Sequence, residues 1–130
     1  MTQLRVKQAA EFLGASEDTV RRLIDSGALP SHTDEAGRIV VPGAALASHL
    51  RQHAAYALED PGRPGSARNR FLGLVTAVRK DSVMAQVDLQ CGPFRVVSLL
   101  SAEAVEEMGL EPGSVATAVV KATNVVVEAG

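Results

Sequence analysis

Apolar positions recur at helical spacing through the first part of the chain and at strand spacing in the last part. Val6, Ala9, Ala10 and Leu13 fall at i, i+3, i+4 and i+7, one stripe of a helix that Gly14 is placed to end. A second helix is expected directly after it. Ser16 is a good N-cap, Glu17 and Asp18 suit the positive end of the helix dipole, and Val20, Leu23 and Ile24 form an inner face before Gly27. Ser31 to Thr33 and Arg38 to Val41, joined by Asp34-Glu35-Ala36-Gly37, read as a small hairpin. Pro42 then suits the first turn of a third helix, with Leu46, Leu50, Ala54 and Leu58 on its inner stripe.

The period changes after Glu59-Asp60-Pro61-Gly62-Arg63-Pro64-Gly65, where two prolines and two glycines forbid helix continuation. Strands are expected at Phe71 to Arg79, at Val83 to Leu89 and at Phe94 to Leu100. In the second of these, Val83, Ala85, Val87 and Leu89 alternate with Met84, Gln86 and Asp88. Ser101 caps a short helix to Met108, Gly109 ends it, and Glu111-Pro112-Gly113 has the residue order of a type II turn. A last long strand is expected from Ser114 to Val127, interrupted at Lys121 to Asn124. The fold class is therefore α+β: an N-terminal winged helix-turn-helix over 1–58, a linker over 59–65, and a small OB-like β-barrel over 66–130.

Composition narrows the function classes. The 130 residues are 46% hydrophobic and carry a formal net charge of -2, far from the composition of disordered chains. Residues 1 to 52 hold six basic and six acidic groups, and residues 66 to 130 hold six and seven. A nucleic-acid role must therefore rest on a local patch rather than on bulk charge. Cys91 is the one cysteine, so no intramolecular disulfide exists, and Met1 to Arg5 lacks the basic and apolar regions of a signal peptide. A cytoplasmic location is expected. Each half has about 60 residues, a size of marginal stability, which makes oligomerisation a physical expectation.

Two short helices meeting across Gly14-Ala15 have the helix-turn-helix arrangement, whose second helix presents its outer residues to the major groove. The segment Leu4-Arg5-Val6-Lys7-Gln8-Ala9-Ala10-Glu11-Phe12-Leu13-Gly14-Ala15-Ser16-Glu17-Asp18-Thr19-Val20-Arg21-Arg22 resembles the excisionase-like and MerR-like winged helix-turn-helix family. That resemblance implies contact with double-stranded DNA through Thr19, Arg21, Arg22 and the wing residue Arg38. The wing tip is Asp34-Glu35 rather than basic, and Asp18 and Asp25 lie on the reading helix, so each head is expected to bind DNA weakly.

Ser66-Ala67-Arg68-Asn69, the run Ser101 to Leu110, and Lys121-Ala122-Thr123 together resemble the molbindin or TOBE (Mop-type) family. The resemblance implies a molybdate or tungstate oxyanion as ligand, homo-oligomers (dimers or trimers of dimers) with sites at subunit interfaces, and Ser66, Ala67, Arg68, Ser101, Lys121, Ala122 and Thr123 as the binding set. Ala104 stands where some members have Ser. The chemistry agrees with this set. A tetrahedral dianion has four acceptor oxygens and no donor, so its site must supply hydroxyls, main-chain N–H groups and positive charge. Small residues such as Ala67 and Ala122 let the main chain approach, and Lys121 supplies a mobile point charge.

Other signals are weaker. His49 and His53 lie four apart on the third helix, but nothing nearby completes the three or four ligands a zinc site takes, so no metal is expected. Cys91 lacks a partner histidine motif, Glu103, Glu106 and Glu107 read as a solvated helix face, and no phosphate loop or hydrolase elbow is present. The chain is expected not to be an enzyme. Two functions fit: a molybdate-responsive transcriptional regulator, and an intracellular molybdate or tungstate storage protein whose helix-turn-helix does not bind DNA specifically.

Overall fold

The computed structural model describes residues 2–53 and 62–130. The chain divides into two compact units, Met1–Ala57 and Leu58–Gly130. The expected linker falls across the boundary between described and undescribed residues, and Ala54 and Leu58, assigned to the third helix stripe, lie outside the described residues.

In the first unit, α1 (Val6–Leu13) buries Val6, Ala9 and Ala10, and it ends at Gly14, whose φ of 59° is a left-handed conformation that glycine adopts without strain. Helix α2 (Glu17–Asp25) starts at Ser16, whose hydroxyl accepts the Thr19 N–H at 3.1 Å, and it buries Val20. Helix α3 (Gly43–Gln52) contributes Leu46. These residues form one core with Leu29 and Val41. The hairpin consists of β2 (His32–Thr33) and β3 (Ile39–Pro42). It is wider than expected. A strand absent from the sequence reading, β1 (Gln3–Arg5), pairs with β3 in the register Leu4↔Val41 to give a three-stranded sheet ordered β1-β3-β2. Three residues are too short a run for alternation to reveal a strand; it is held because its partner β3 buries Val40 and Val41.

The second unit is an open antiparallel sheet ordered β6-β5-β4-β7. Its strands are β4 (Asn69–Lys80), β5 (Met84–Cys91), β6 (Phe94–Ser101) and β7 (Val115–Val120). Helix α4 (Ala102–Met108) follows β6 directly, capped by Ser101 and ended by Gly109 at φ 63°. Strand β4 is the longest and is shared: residues 69–74 pair with β7 and residues 74–80 with β5, with a register shift between Val75 and Ala77. Such an irregularity bends the strand and increases its twist, so the sheet curls into a half-barrel. Gly73 permits this bend, because a Cβ there would collide with the Gln90 carbonyl oxygen and with Cys91 Sγ.

The core of this unit is Val75, Ala85, Val87, Leu89 and Cys91 from β4 and β5, with Val105 from α4. Val83, grouped with Ala85, Val87 and Leu89 by its alternation, is instead exposed in the turn before β5, where Asp81 Oδ1 accepts the N–H groups of Val83 and Met84. The expected final strand is also shorter. It stops at Val120, a 3₁₀ turn occupies Ala122–Asn124, and Val125 to Val127 form no ladder among the described residues.

One buried charge, among the described residues, sits on the sheet. Asp88 on β5 is buried, accepts Arg95 Nη2 at 2.6 Å and Nε at 3.0 Å, and accepts Gln86 Nε2 at 3.1 Å. The Arg95 hydrogen bonds, with Gln86 behind them, hold its carboxyl below the usual carboxylate range. A depressed folded-state value stabilises the fold above the unfolded carboxylate value of about 4, and that contribution is lost as the pH falls through the lower folded value. D88N should therefore lower the denaturation midpoint at pH 7 and give a flatter loss of stability below about pH 4, as read by circular dichroism across pH.

Candidate functional site

The sheet register decides which of the oxyanion residues meet. Asn69 opens β4 and pairs with Val120, the last residue of β7. Ser66, Ala67 and Arg68 immediately precede the first of these residues, and Lys121, Ala122 and Thr123 immediately follow the second. The two segments therefore lie side by side at one end of the β4/β7 ladder, tied by Asn69 Nδ2 donating to the Val120 carbonyl at 3.1 Å.

Local geometry at this end favours donors. Lys121 precedes the 3₁₀ turn, and its carbonyl accepts the Asn124 N–H at 2.9 Å. The N–H groups of Ala122 and Thr123 open that turn, where no intrahelical acceptor is available, and no side chain caps them. The Arg68 guanidinium donates to the Gly65 carbonyl at 2.8 Å and thereby closes the loop before β4. That bond uses one of the five N–H donors of the guanidinium. Ser66, Arg68 and Lys121 to Thr123 are all exposed, and Ala67 is half-buried.

Ser101 is elsewhere. It closes β6 and pairs with Met84 at the start of β5, whereas the other end of β6, Phe94, pairs with Cys91. Because β5 runs antiparallel to β4, Met84 lies beyond the Lys80↔Ala85 pair, at the end of β4 remote from Asn69. The eight residues of β6 alone extend roughly 23 Å. The Ser101 hydroxyl accepts the Ala104 N–H at 3.0 Å and so keeps its own proton for donation. Ala104 thus serves the cap through its main chain. Glu103, Glu106 and Glu107 are exposed on the same helix, with Glu106 3.5 Å from Lys80 Nζ.

The half-barrel is open along one seam. Between the edge strands β6 and β7 lies a groove of about 460 Å³, lined by Val87 and Leu89 below, Val96 and Leu100 on one side, and Val115 and Val119 on the other. Beyond β7, Val126 and Val127 are 85% and 87% exposed, an apolar segment with no cover.

In the first unit, Arg21 and Arg38 line one groove, while Arg22, also exposed, does not. Thr19 is bound up in the start of α2: its N–H goes to Ser16 Oγ, and the two hydroxyls are 3.0 Å apart. Arg38 is paired with Asp34, Nε to Oδ2 at 3.1 Å, and Asp34 Oδ1 accepts the N–H groups of Ala36 and Arg38. The Arg38 N–H, foremost, holds the Asp34 carboxyl below its usual range. The acidic wing tip is thus a turn-forming residue, a role the D-x-x-G spacing signals but net charge conceals.

His49 and His53 stack at 4.5 Å, with His53 Nδ1 3.2 Å from the His49 carbonyl. No group of three or more His, Cys, Asp or Glu side chains suited to a metal occurs among the described residues. Cys91 is buried, and burial raises its thiol pKa, the opposite of what a nucleophile needs. No helix among the described residues is long and apolar enough to cross a membrane.

Comparison with known proteins follows the same division. A helix-turn-helix domain model matches residues 4–54, and a TOBE domain model matches residues 65–127. Molybdenum-pterin-binding protein 3 of Clostridium pasteurianum is 42% identical over 63 residues, which are 48% of this chain and 93% of that protein. A probable molybdenum-pterin-binding protein of Haemophilus influenzae is 43% identical over 63 residues, 48% of this chain and 91% of its own. The solved structure of a molybdate-binding protein from Sporomusa ovata superposes with a TM-score of 0.50 at 30% identity, covering 52% of this chain and all of that one. The chain therefore belongs to the TOBE family of the molybdenum-pterin-binding proteins through its second half, and it carries a helix-turn-helix domain ahead of that half.

Proposed function

We propose that this protein binds molybdate or tungstate in its TOBE half and acts as a molybdate-responsive transcriptional regulator through its helix-turn-helix. The observation that carries the anion reading is that the Asn69↔Val120 pair ends the β4/β7 ladder and so sets Ser66-Ala67-Arg68 beside Lys121-Ala122-Thr123. There the Ser66 hydroxyl, the main-chain N–H groups of Ala67, Arg68, Ala122 and Thr123, and the Lys121 ammonium form a set in which every member can donate. That is the complement of a dianion with acceptors alone. The names of the relatives, which specify molybdenum-pterin or molybdate, agree with it.

Ser101 completes the set from a second copy of the chain, because in its own chain it stands at the far end of the sheet. The open seam between β6 and β7, together with the uncovered Val125 to Val127 segment, supports such a homo-oligomer. Occupancy of shared sites then stabilises the assembly by mass action. Holding several weak DNA-binding heads together raises their joint affinity through effective concentration. A storage protein is the second reading. It is favoured by the Arg38–Asp34 pair, which offsets the wing's cation, and by relatives that consist almost entirely of the TOBE module.

Linkage separates the two. Titrating the intact protein with the DNA upstream of its own gene, with and without molybdate, should show each ligand changing the other's affinity by the same factor. Tight anion binding with no preference among DNA duplexes would establish storage instead.

Calorimetric titration of molybdate into the K121A variant should show roughly 10- to 100-fold weaker binding, the worth of a charge-assisted hydrogen bond. S101A should weaken binding while S101T, which keeps the hydroxyl, should not; unchanged affinity in K121A removes Lys121 from the site. V126D places a charge on the uncovered segment of a residue that contributes nothing to its own core. It should leave the far-ultraviolet spectrum unchanged, reduce the mass measured by light scattering, and weaken anion binding with it.

A further inference from the structure

Charge in the first unit is balanced in number and unbalanced in space. Its six Lys and Arg residues face six Asp and Glu in the sequence. Four of those six cations, Arg5, Lys7, Arg21 and Arg38, line a single groove of about 520 Å³, whose lining includes one carboxylate, Glu17. They come from four places along the unit: Arg5 ends β1, Lys7 lies in the first turn of α1, Arg21 lies on α2, and Arg38 immediately precedes β3. All four are exposed. The Arg38 charge is partly offset by Asp34, so the field at the groove depends most on Arg5, Lys7 and Arg21.

We infer that this groove is a cradle for the sugar–phosphate backbone of duplex DNA, in which Arg5 and Lys7 bind phosphate and carry no sequence information. The inference rests on the DNA-binding reading of the first unit and assigns two residues to it that the helix-turn-helix pattern does not. Arg5 and Lys7 precede the turn and the second helix, the elements that insert toward base edges, and phosphate contacts of this kind set register while base contacts set specificity. Their side chains are also free of structural duty. The Arg5 contribution to the α1 cap is its backbone N–H, which donates to Gln8 Oε1 at 3.0 Å, and Lys7 has no hydrogen-bond or ion-pair partner among the described residues.

The test is a salt titration of the full-length protein against two labelled duplexes, one from upstream of its own gene and one of mixed sequence. The R5Q/K7Q variant should lower affinity for both duplexes by the same factor. Its plot of log affinity against log salt should be less steep by about 1.8, since each neutralised phosphate contributes about 0.9. A melting curve matching the wild type establishes that the variant is folded; if it is not, K7Q alone, with an expected change of about 0.9, serves in its place. An unchanged slope, or a change in the ratio between the two duplexes, overturns the inference. If R21A/R22A abolishes discrimination while the R5Q/K7Q slope is unchanged, the DNA-binding reading stands and the cradle alone falls. If the wild type binds neither duplex, both fall.

Discussion

Asn69 faces Val120 across the β4/β7 ladder, and most of what the second unit offers a ligand depends on that register. It sets the loop before β4 beside the turn after β7, through main-chain ladder bonds and one side-chain bond from Asn69 Nδ2. A shift of one residue would turn every side chain of β7 to the other face and move the Ala122 and Thr123 amides away from Ala67 and Arg68. The register is pinned from two sides: Asn69 donates to the Val120 carbonyl, and Val75 exchanges bonds with Gly113 and Ser114 at the other end of the pair.

The same strand explains why the sheet stays open. Strand β4 gives its first half to β7 and its second half to β5, and it bends between them at the Val75–Ala77 irregularity where Gly73 leaves room. A sheet curled in this way encloses an apolar face without closing on itself. The edges β6 and β7 remain apart, with an apolar groove between them, and a long open edge of this kind is an association surface. Ser101, at the opposite end of the curl from Lys121, has the same origin.

The first unit solves a different problem with equal numbers of opposite charges. Asp34 is consumed in building the wing turn and neutralises part of Arg38, while Glu17 and Asp18 satisfy the start of α2. These carboxylates have local structural work. Four of the six cations line one groove, so a neutral half-chain presents a positive groove.

Much of this was legible in the sequence. The two helices and their caps followed from Gly14, Ser16 and the apolar spacing, because capping is local chemistry; the Ser101 cap, the Gly109 stop and the Glu111-Pro112-Gly113 turn, with Gly113 at φ 96°, followed for the same reason. The donor-rich segments were visible as residue types. What the sequence did not reveal was relation at a distance. Strand β1 is too short to carry a period, Val83 alternates correctly yet lies in a turn, and the valines after Thr123 look like a strand but form no ladder among the described residues. A cap or a turn is decided by residues within four positions of one another, so the sequence alone determines it. A sheet edge, a charge cluster and the separation of Ser101 from Lys121 are decided by which strands find each other, and only the tertiary structure settles them.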